Sequence, residues 1–281
     1  MTRLFVEHLS VIDCAYLDSA RGLVGESWIV DVELEGALDE ESMVIDFGEV
    51  KRRLKRVVDA HADHRLLVPA RASALQTLEQ KDDAVHLVFR ADIGVIEHRS
   101  PAVAVLYVDA AEVTPEVVAA DLAPRLHAVL PANVGAVRAT LRAERIQGAY
   151  YHYTHGLRKH RGACQRIAHG HRSKIHVHVS GQRDAELEMQ VATRWLDVYL
   201  GTRADLVAQG NGRVRFAYTA PEGHYQLVMP QTHVDLLDRD STVECIAEHL
   251  ARLLAPLRPG REIEVRAYEG VMKGAIARAR V

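Results

Sequence analysis

An internal repeat constrains the fold of this chain more than any other feature of its sequence. The segment VGESWIVDVELEG (residues 24–36) aligns without a gap on HGHRSKIHVHVSG (residues 169–181). A helical stretch and the closing strand of the first half also have counterparts in the second half. We therefore predict a tandem duplication, with copy one at residues 1–148 and copy two at residues 149–281. Because no Gly/Ser-rich or Pro-rich linker separates the copies, we expect them to pack tightly against each other.

Apolar side chains in copy one recur every second residue in some segments and at helical spacing in others. These periods predict strands at residues 4–17, 27–35 and 135–144, helices at residues 50–61 and 114–130, and a hairpin that pairs residues 85–90 with residues 102–108. Asp46 is placed to cap the first helix. Copy two keeps only a short amphipathic helix, predicted within residues 189–209, where copy one has this first helix.

A group of histidines in copy two is the main candidate for a functional site. His169 and His171 alternate with Gly170 at the start of a predicted strand, so both imidazoles point to one face of that strand. His155 lies upstream, on the strand expected to be its neighbour. Three histidines with no fourth protein ligand are typical of a catalytic zinc site with an open position. The chain contains 16 histidines, however, and a His-x-His pair on a strand is often only a polar face.

Two further features can be connected with this group. Cys164 lies in the loop between His155 and His169, close enough to act on whatever occupies the open position. Asp63 and His64 follow the first predicted helix of copy one. Such a pair at a helix end is usually explained as a cap and a surface charge.

The two copies differ at these positions in complementary ways. Where copy two reads HGH (residues 169–171), copy one reads VGE (residues 24–26), which cannot form a histidine-based zinc site. Copy two in turn has no Asp-His pair after its short helix. Each copy therefore lacks what the other retains.

The composition excludes some classes of function. A net charge of -3 argues against a general nucleic-acid-binding protein, although it is compatible with a local basic pocket. Three cysteines, odd in number and far apart, imply no disulfide framework. The N-terminal sequence lacks the basic segment and apolar core of a signal peptide, and no apolar run approaches the length of a membrane span. We therefore expect a cytoplasmic protein that binds neither nucleic acid nor a membrane.

Taken together, these motifs resemble the family of 6-pyruvoyltetrahydropterin synthases and 6-carboxytetrahydropterin synthases. The resemblance covers most of both copies and is carried by MVIDFGEVK (residues 43–51), DHRLL (residues 63–67), the segment from His155 through Cys164 to HGH, DSTVE (residues 240–244) and VRAYE (residues 265–269). The Cys-x4-His spacing departs from the spacing usual in the family, and the motifs are divided between the two copies.

The resemblance implies an α+β fold called the T-fold, a four-stranded antiparallel sheet with two helices on one face. A tandem T-fold would hold two such sheets, which join edge to edge with further units into a barrel and thereby remove exposed sheet edges. Active sites of the family lie between neighbouring units, so the resemblance also implies a homo-oligomer. The composite site would take its Asp-His half from copy one and its zinc and Cys half from copy two, either within one chain or between chains.

For function, the resemblance implies a zinc-dependent lyase that converts 7,8-dihydroneopterin triphosphate, with loss of triphosphate, into 6-carboxy- or 6-pyruvoyl-tetrahydropterin. The resemblance implies Zn²⁺ as a Lewis acid, held by His155, His169 and His171. It implies Cys164 as general base, with Asp63 orienting His64 as a second proton carrier. It also implies Glu269 with Thr242 as the pterin anchor, and Arg158, Lys159 and Arg161 as partners of the triphosphate. Glu144 is an alternative anchor, and ordinary loop charge explains the three basic residues equally well.

Two other functions are compatible with the same residues. The first is a non-catalytic pterin-binding or assembly protein that keeps zinc structurally, since copy one has already lost its ligands. The second is retro-aldol cleavage of dihydroneopterin on the same scaffold. Against the first, the parts that the two copies retain add up to one complete set, which random decay would seldom leave.

Overall fold

The computed structural model describes residues 2–280 and confirms the α+β class. The elements of the first half are β1 (Thr2–Asp18), β2 (Gly22–Gly36), α1 (Phe47–His61), β3 (Leu66–Pro69), β4 (Leu75–Lys81), β5 (Ala84–Ala91), β6 (Gly94–Pro101), β7 (Val105–Val108), α2 (Pro115–His127) and β8 (Val134–Ala143). Those of the second half are β9 (Tyr150–His155), β10 (His169–Val179), β11 (Gln182–Arg183), α3 (Ala185–Arg194), β12 (Val198–Thr202), β13 (Leu206–Gly210), β14 (Arg213–Ala220), β15 (Gly223–Pro230), β16 (Val234–Leu237), α4 (Val243–Leu254), β17 (Ile263–Tyr268) and β18 (Gly274–Ala279). The copy boundary between residues 148 and 149 stays a prediction.

Each half builds its own main sheet. The strand order is β7-β3-β1-β2-β8 in the first half and β16-β12-β9-β10-β17-β18 in the second, where β11 also pairs with β10. These sheets are larger than the four antiparallel strands that the resemblance implied, and they are mixed. The chain leaves β2 through α1 and returns beside β1, so β3 runs parallel to β1, and β7 is added parallel to β3. Strands β12 and β16 extend the second sheet in the same way.

A third sheet joins the two halves. Its order is β13-β14-β15-β6-β5-β4, and the antiparallel pair of β15 and β6 connects the hairpins of the two copies. The predicted pairing of residues 85–90 with residues 102–108 is wrong. Strand β5 pairs with β6 across a tight turn in which Gly94 has a φ of 129°, and β7 joins the first main sheet instead. The shared sheet agrees with the expectation that the copies pack tightly.

The helices cover the main sheets, and their local sequences explain where they begin. The side chain of Asp46 accepts hydrogen bonds from two backbone N–H groups in the first turn of α1, which confirms the predicted cap. Thr114 caps α2 and Asp184 caps α3 in the same manner. Helix α3 begins before the segment in which it was predicted. Among the residues described, no helix combines the length and the apolar character that a membrane span needs.

Two glycines allow the main sheets to touch where the functional candidates lie. A Cβ atom on Gly25 of β2 would lie 1.9 Å from the backbone oxygen of Tyr153 in β9. A Cβ atom on Gly170 of β10 would lie 2.6 Å from the Cα atom of Gly25. A side chain at either position would therefore push the sheets apart. This close approach sets β1 and β2 of the first copy directly against the histidine-bearing strands of the second.

Candidate active site

The three histidines predicted to bind a metal lie together in the core of the second half. His155 of β9 pairs directly with His169 of β10, and His171 follows two residues later on the same face. All three side chains are buried. The Nε2 atoms of His155 and His171 are 3.2 Å apart, and one ring nitrogen from each histidine lies within 4.8 Å of the others.

The opposite ring nitrogen of each histidine faces a hydrogen-bond acceptor. The Nδ1 atoms of His155, His169 and His171 lie 2.9 Å from the Ser241 carbonyl, 2.8 Å from the Arg166 carbonyl and 3.1 Å from Asp13 Oδ1, respectively. Proton-bearing Nδ1 atoms leave the Nε2 lone pairs directed at a common centre. His169 Nε2 is buried without a hydrogen-bond partner, and the contact of His171 Nδ1 with Asp13 is a short charged contact that lacks hydrogen-bond geometry.

This arrangement fits a cation between the three rings. Bare Nε2 lone pairs that face one another in a buried space repel, and a bound metal ion would turn that repulsion into coordination. Burial and the neighbouring imidazoles lower the pKa of both His155 and His169 well below the usual value, so these rings stay neutral. Neutral imidazole is the form that ligates metals. The histidine cluster could therefore hold a metal ion.

His64 of the first half reaches this cluster within the same chain. Its ring centroid lies 4.9 Å from that of His169. His64, Cys164 and His169 form a second group whose ligand atoms lie within 4.8 Å of one another. Within one chain, His64 of the first half thus lies beside Cys164 and His169 of the second half.

The carboxylate of Asp63 connects the ring of His64 with the backbone of β1. Its Oδ2 atom lies 2.8 Å from His64 Nδ1, and its Oδ1 atom accepts a hydrogen bond from the backbone N–H of Asp13 at 2.9 Å. His64 adopts a φ of 54°, unusual for a residue other than glycine, and its own N–H donates to the Asp13 carbonyl at 2.7 Å. The pair is therefore part of a buried network rather than only a helix cap with a surface charge.

The environment of His64 favours its charged form. Burial lowers the pKa of His64, but the hydrogen bonds and negative charges of Asp63 and Cys164 outweigh burial and raise that pKa to about 10. An imidazolium at this position faces the sulfur of Cys164. It can stabilise a thiolate there and can also donate a proton.

The chain as a whole was compared with known proteins. The family model described as 6-pyruvoyl tetrahydropterin synthase matches twice, at residues 12–154 and at residues 146–280. The chain belongs to the 6-pyruvoyl tetrahydropterin synthase family. This membership confirms the resemblance and the tandem T-fold that it implied. No curated protein sequence matches the chain significantly.

Solved structures of this family include two from Plasmodium that are similar to part of the chain. A catalytic-residue mutant of Plasmodium vivax 6-pyruvoyltetrahydropterin synthase shares 19% identity, with 52% of this chain and 93% of that chain covered and a TM-score of 0.42. The Plasmodium falciparum enzyme shares 17% identity, with 50% and 90% covered and a TM-score of 0.41.

The predicted pterin anchors have different surroundings in this member of the 6-pyruvoyl tetrahydropterin synthase family. The carboxylate of Glu269 lies 3.5 Å from Lys273 Nζ, and the same ammonium lies 3.3 Å from Asp13 Oδ2, next to His171. Glu144 instead accepts a hydrogen bond from Lys174 at 2.6 Å. Glu269 is therefore the glutamate that contacts the network around the histidine cluster.

The remaining predicted residues already have protein partners. Thr242 Oγ1 caps α4 by accepting from the N–H of Cys245, and the preceding residue supplies the carbonyl that faces His155. Two basic residues of the β9–β10 loop form ion pairs, Arg158 with Asp205 at 3.0 Å and Lys159 with Asp240 at 2.7 Å. Arg161, in the same loop, is exposed.

Sequence reasoning missed the residues that support the predicted ligands. Ser241 and Arg166 act through their backbone carbonyls, which no sequence pattern reveals. Asp13 acts through its side chain, and it carried a detectable signal: it is a lone acidic residue within the apolar stretch VIDCAYL of β1. A charge in a strand that is otherwise buried is rarely tolerated without a partner.

Proposed function

We propose that this chain is a zinc-dependent pterin synthase that acts on 7,8-dihydroneopterin triphosphate with loss of triphosphate, giving 6-carboxy- or 6-pyruvoyl-tetrahydropterin. One observation carries the proposal: His64 from the first copy lies beside Cys164 and His169 from the second, so one chain assembles a complete set of groups. Three imidazoles without a fourth protein ligand favour Zn²⁺ with an open position for substrate.

The bound metal would supply Lewis acidity to the hydroxyl groups of the substrate side chain, making the attached carbon-bound protons easier to remove. Cys164 then serves as the base that accepts such a proton. His64, held as an imidazolium by Asp63, stabilises the thiolate before the transfer and donates its own proton afterwards. Partial burial of these groups strengthens their interactions because water screens them less than at the surface.

For substrate binding, we propose Glu269 as the acceptor for the N–H groups of the pterin ring, with Thr242 nearby. Glu269 is preferred to Glu144 because Lys273 connects its carboxylate with Asp13, which in turn contacts His171. Arg158 and Lys159 would reach the triphosphate only by leaving or sharing their acidic partners. Their contribution is therefore expected to be smaller than that of Glu269.

We also propose that the protein works as a homo-oligomer. Strands β8 and β18 lie at the ends of their sheets in the part of the chain that the structure describes. An unpaired sheet edge offers backbone N–H and C=O groups to a neighbouring strand. Pairing with strands of another copy would satisfy these groups.

The test is to incubate the purified, Zn²⁺-loaded protein with 7,8-dihydroneopterin triphosphate and to identify the products by mass. Release of triphosphate is expected together with 6-pyruvoyl-tetrahydropterin, or together with 6-carboxy-tetrahydropterin; in the second case water is consumed and the two outer carbons of the substrate side chain leave as acetaldehyde. The variant Cys164→Ala should lower turnover on the order of 100- to 10,000-fold, as expected for a lost general base. Cys245→Ala, a cysteine variant in α4, is the matched control and should keep wild-type turnover.

Other outcomes would contradict the proposal and identify the competing functions. Binding of the substrate without conversion would indicate a non-catalytic pterin-binding or assembly protein. Shortening of the substrate's side chain without release of triphosphate, or cleavage of dihydroneopterin itself, would indicate an aldolase. Loss of metal in Cys164→Ala would make Cys164 a ligand rather than a base.

A further inference from the structure

An ionisable residue in the centre of a buried strand needs a physical reason. Asp13 is 3% exposed and is flanked in β1 by Ile12 and Cys14, both of which are fully buried. Moving a carboxylate out of water is unfavourable by several kcal/mol unless charges and hydrogen bonds compensate for the lost hydration. The groups around Asp13 should therefore indicate why a charge is kept there.

The side chain of Asp13 contacts three groups. Its Oδ1 atom lies 3.1 Å from His171 Nδ1 and accepts a hydrogen bond from Ser27 Oγ at 2.5 Å. Its Oδ2 atom lies 3.3 Å from Lys273 Nζ, and that ammonium is 3.5 Å from Glu269. One carboxylate of the first copy thus connects a candidate metal ligand with the candidate pterin anchor, both from the second copy.

The backbone of Asp13 serves the other half of the site. Its N–H donates to Asp63 Oδ1, and its carbonyl accepts from the N–H of His64. These backbone contacts do not depend on the carboxylate. A change of the Asp13 side chain therefore affects the His171 and Lys273 contacts while leaving the position of the Asp63–His64 pair supported.

We propose that Asp13 is a positioning residue for the metal centre: its carboxylate lies against Nδ1 of His171 and orients that ring so that Nε2 faces the metal, and it fixes Lys273 beside Glu269. This inference rests on the proposed function for the identity of the metal site. A carboxylate next to the outer nitrogen of a ligating histidine fixes the tautomer and ring orientation, and its removal typically costs about 10- to 100-fold in metal affinity.

The duplication offers an independent observation in favour of this role. Asp13 lies opposite Ser27 in the pairing of β1 with β2, and the residue in the same place of β9 is His152, opposite Arg172. His152 Nδ1 lies 2.7 Å from the carbonyl of Gly25. Aspartate therefore occupies this position in β1, which faces the histidine cluster. Histidine occupies it in β9, which faces the VGE segment of the first copy.

The experiment compares Asp13→Ala and Asp13→Asn with wild type, using Zn²⁺ and Co²⁺ as probes. Zn²⁺ affinity is measured by competition with a chelator, and the visible absorption of the Co²⁺-loaded protein reports ligand geometry without any turnover. Asp13→Ala should weaken Zn²⁺ binding about 10- to 100-fold and change the Co²⁺ spectrum. Asp13→Asn keeps an acceptor oxygen and loses the charge, so its affinity should fall between those of Asp13→Ala and wild type.

Asp31→Asn is the matched control, because Asp31 of β2 is also a hydrogen-bonded carboxylate but pairs with His8 and Arg142 away from the cluster. It should leave affinity and spectrum unchanged. Wild-type affinity and an unchanged spectrum in both Asp13 variants would overturn the positioning role, whatever happens to turnover. If Asp13→Ala does not fold, the nearly isosteric Asp13→Asn decides. A wild-type protein that binds neither metal would instead refute the metal site itself, and with it the proposed function.

Discussion

The histidine cluster of the second copy and the equivalent region of the first copy differ in the residues that occupy the same strand positions. The strand pairings identify the equivalent positions: Gly25 lies opposite Ala15 in the first copy, and Gly170 lies opposite Thr154 in the second. The equivalent residues are His155 and Tyr16, His169 and Val24, and His171 and Glu26. In the second copy three imidazoles lie together and could hold a metal cation. Among residues 2–280, the equivalent positions of the first copy form no such group of ligands.

The first copy supplies its own cation instead. Asp197 is the equivalent of His64: each residue has a φ of 54°, and each lies two residues before the residue that pairs with Ala15 (Leu66) or with its equivalent Thr154 (Tyr199). The guanidinium of Arg21 binds the Asp197 carboxylate at 2.6 and 2.8 Å and donates to Tyr16 Oη at 3.0 Å. A guanidinium thus lies between the equivalents of His64 and His155. The comparison teaches that the first copy places an ion pair where the second copy places histidines, so that the buried carboxylate of Asp197 keeps a charged partner.

The connections of the two regions differ as well. Residues 19–21 join β1 to β2 in a tight turn that carries Arg21, whereas residues 156–168 join β9 to β10 in a loop that carries Cys164. The longer loop gives the second copy a nucleophilic side chain beside its histidines. The short turn gives the first copy a cation at the same place. Loop length therefore decides whether a cysteine or an arginine lies at this place in the two copies.

The largest expected difference between the regions is in metal content. Metal analysis of the purified protein should find about one Zn²⁺ per chain, because only the second copy has convergent imidazoles. The double variant His169→Ala with His171→Ala should bind none. Two metal ions per chain, or a metal that survives in the double variant, would show that the ligand set is wrong.

A smaller effect is expected from breaking the ion pair of the first copy. Arg21→Ala leaves Asp197 without its partner and should lower the free energy of unfolding by about 2 kcal/mol. This is less than the roughly 3–5 kcal/mol of a fully buried pair, because the Arg21 side chain is 36% exposed. Metal content should not change. Denaturant unfolding checks this, with Arg142→Ala, which breaks an exposed pair with Asp31, as the control that should lose less than about 1 kcal/mol.

A pH-dependent difference between the two regions concerns Glu26, the equivalent of His171. Burial raises the pKa of Glu26 to about 7. A carboxyl group whose pKa is higher in the folded than in the unfolded state stabilises the fold fully below about pH 4.5, and this contribution is lost as the pH rises to about 7. Glu26→Gln removes that dependence, so its free energy of unfolding relative to wild type should increase over this range. Unfolding curves at several pH values would contradict this if the difference between the two proteins stayed constant.

Local patterns in the sequence predicted much of the fold and the histidines that the structure brings together. Period-two and helical spacing predicted β1, β2, β8, α1 and α2, and the Asp46 cap is as expected. The shared sheet could not be predicted, because the partner of β6 is β15, more than a hundred residues away. Hairpin turns leave local signals, but edge pairing between copies depends on how the copies dock.

The electrostatic partners of the site were hidden for the same reason. Arg21 and Asp197 lie in different copies, 176 residues apart, and neither stands out in its own segment. Asp13 did stand out as an acidic residue in an apolar strand, but its role depends on His171 and Lys273 of the other copy. Histidine spacing, by contrast, is visible because a strand places alternate residues on one face.

The central claim is that one chain closes the composite site from both of its copies, and a mixing experiment tests it directly. His64→Ala and Cys164→Ala should each abolish most turnover, and the double variant should be little worse, because both residues act on one substrate. The two single-variant chains are then unfolded and refolded together, with a mixture of wild type and Cys164→Ala as the control for recovery. The account predicts no gain of turnover in the mixture of the two variants, because every site keeps one defective half. Substantial recovery would contradict it, since intact halves would then be meeting between chains.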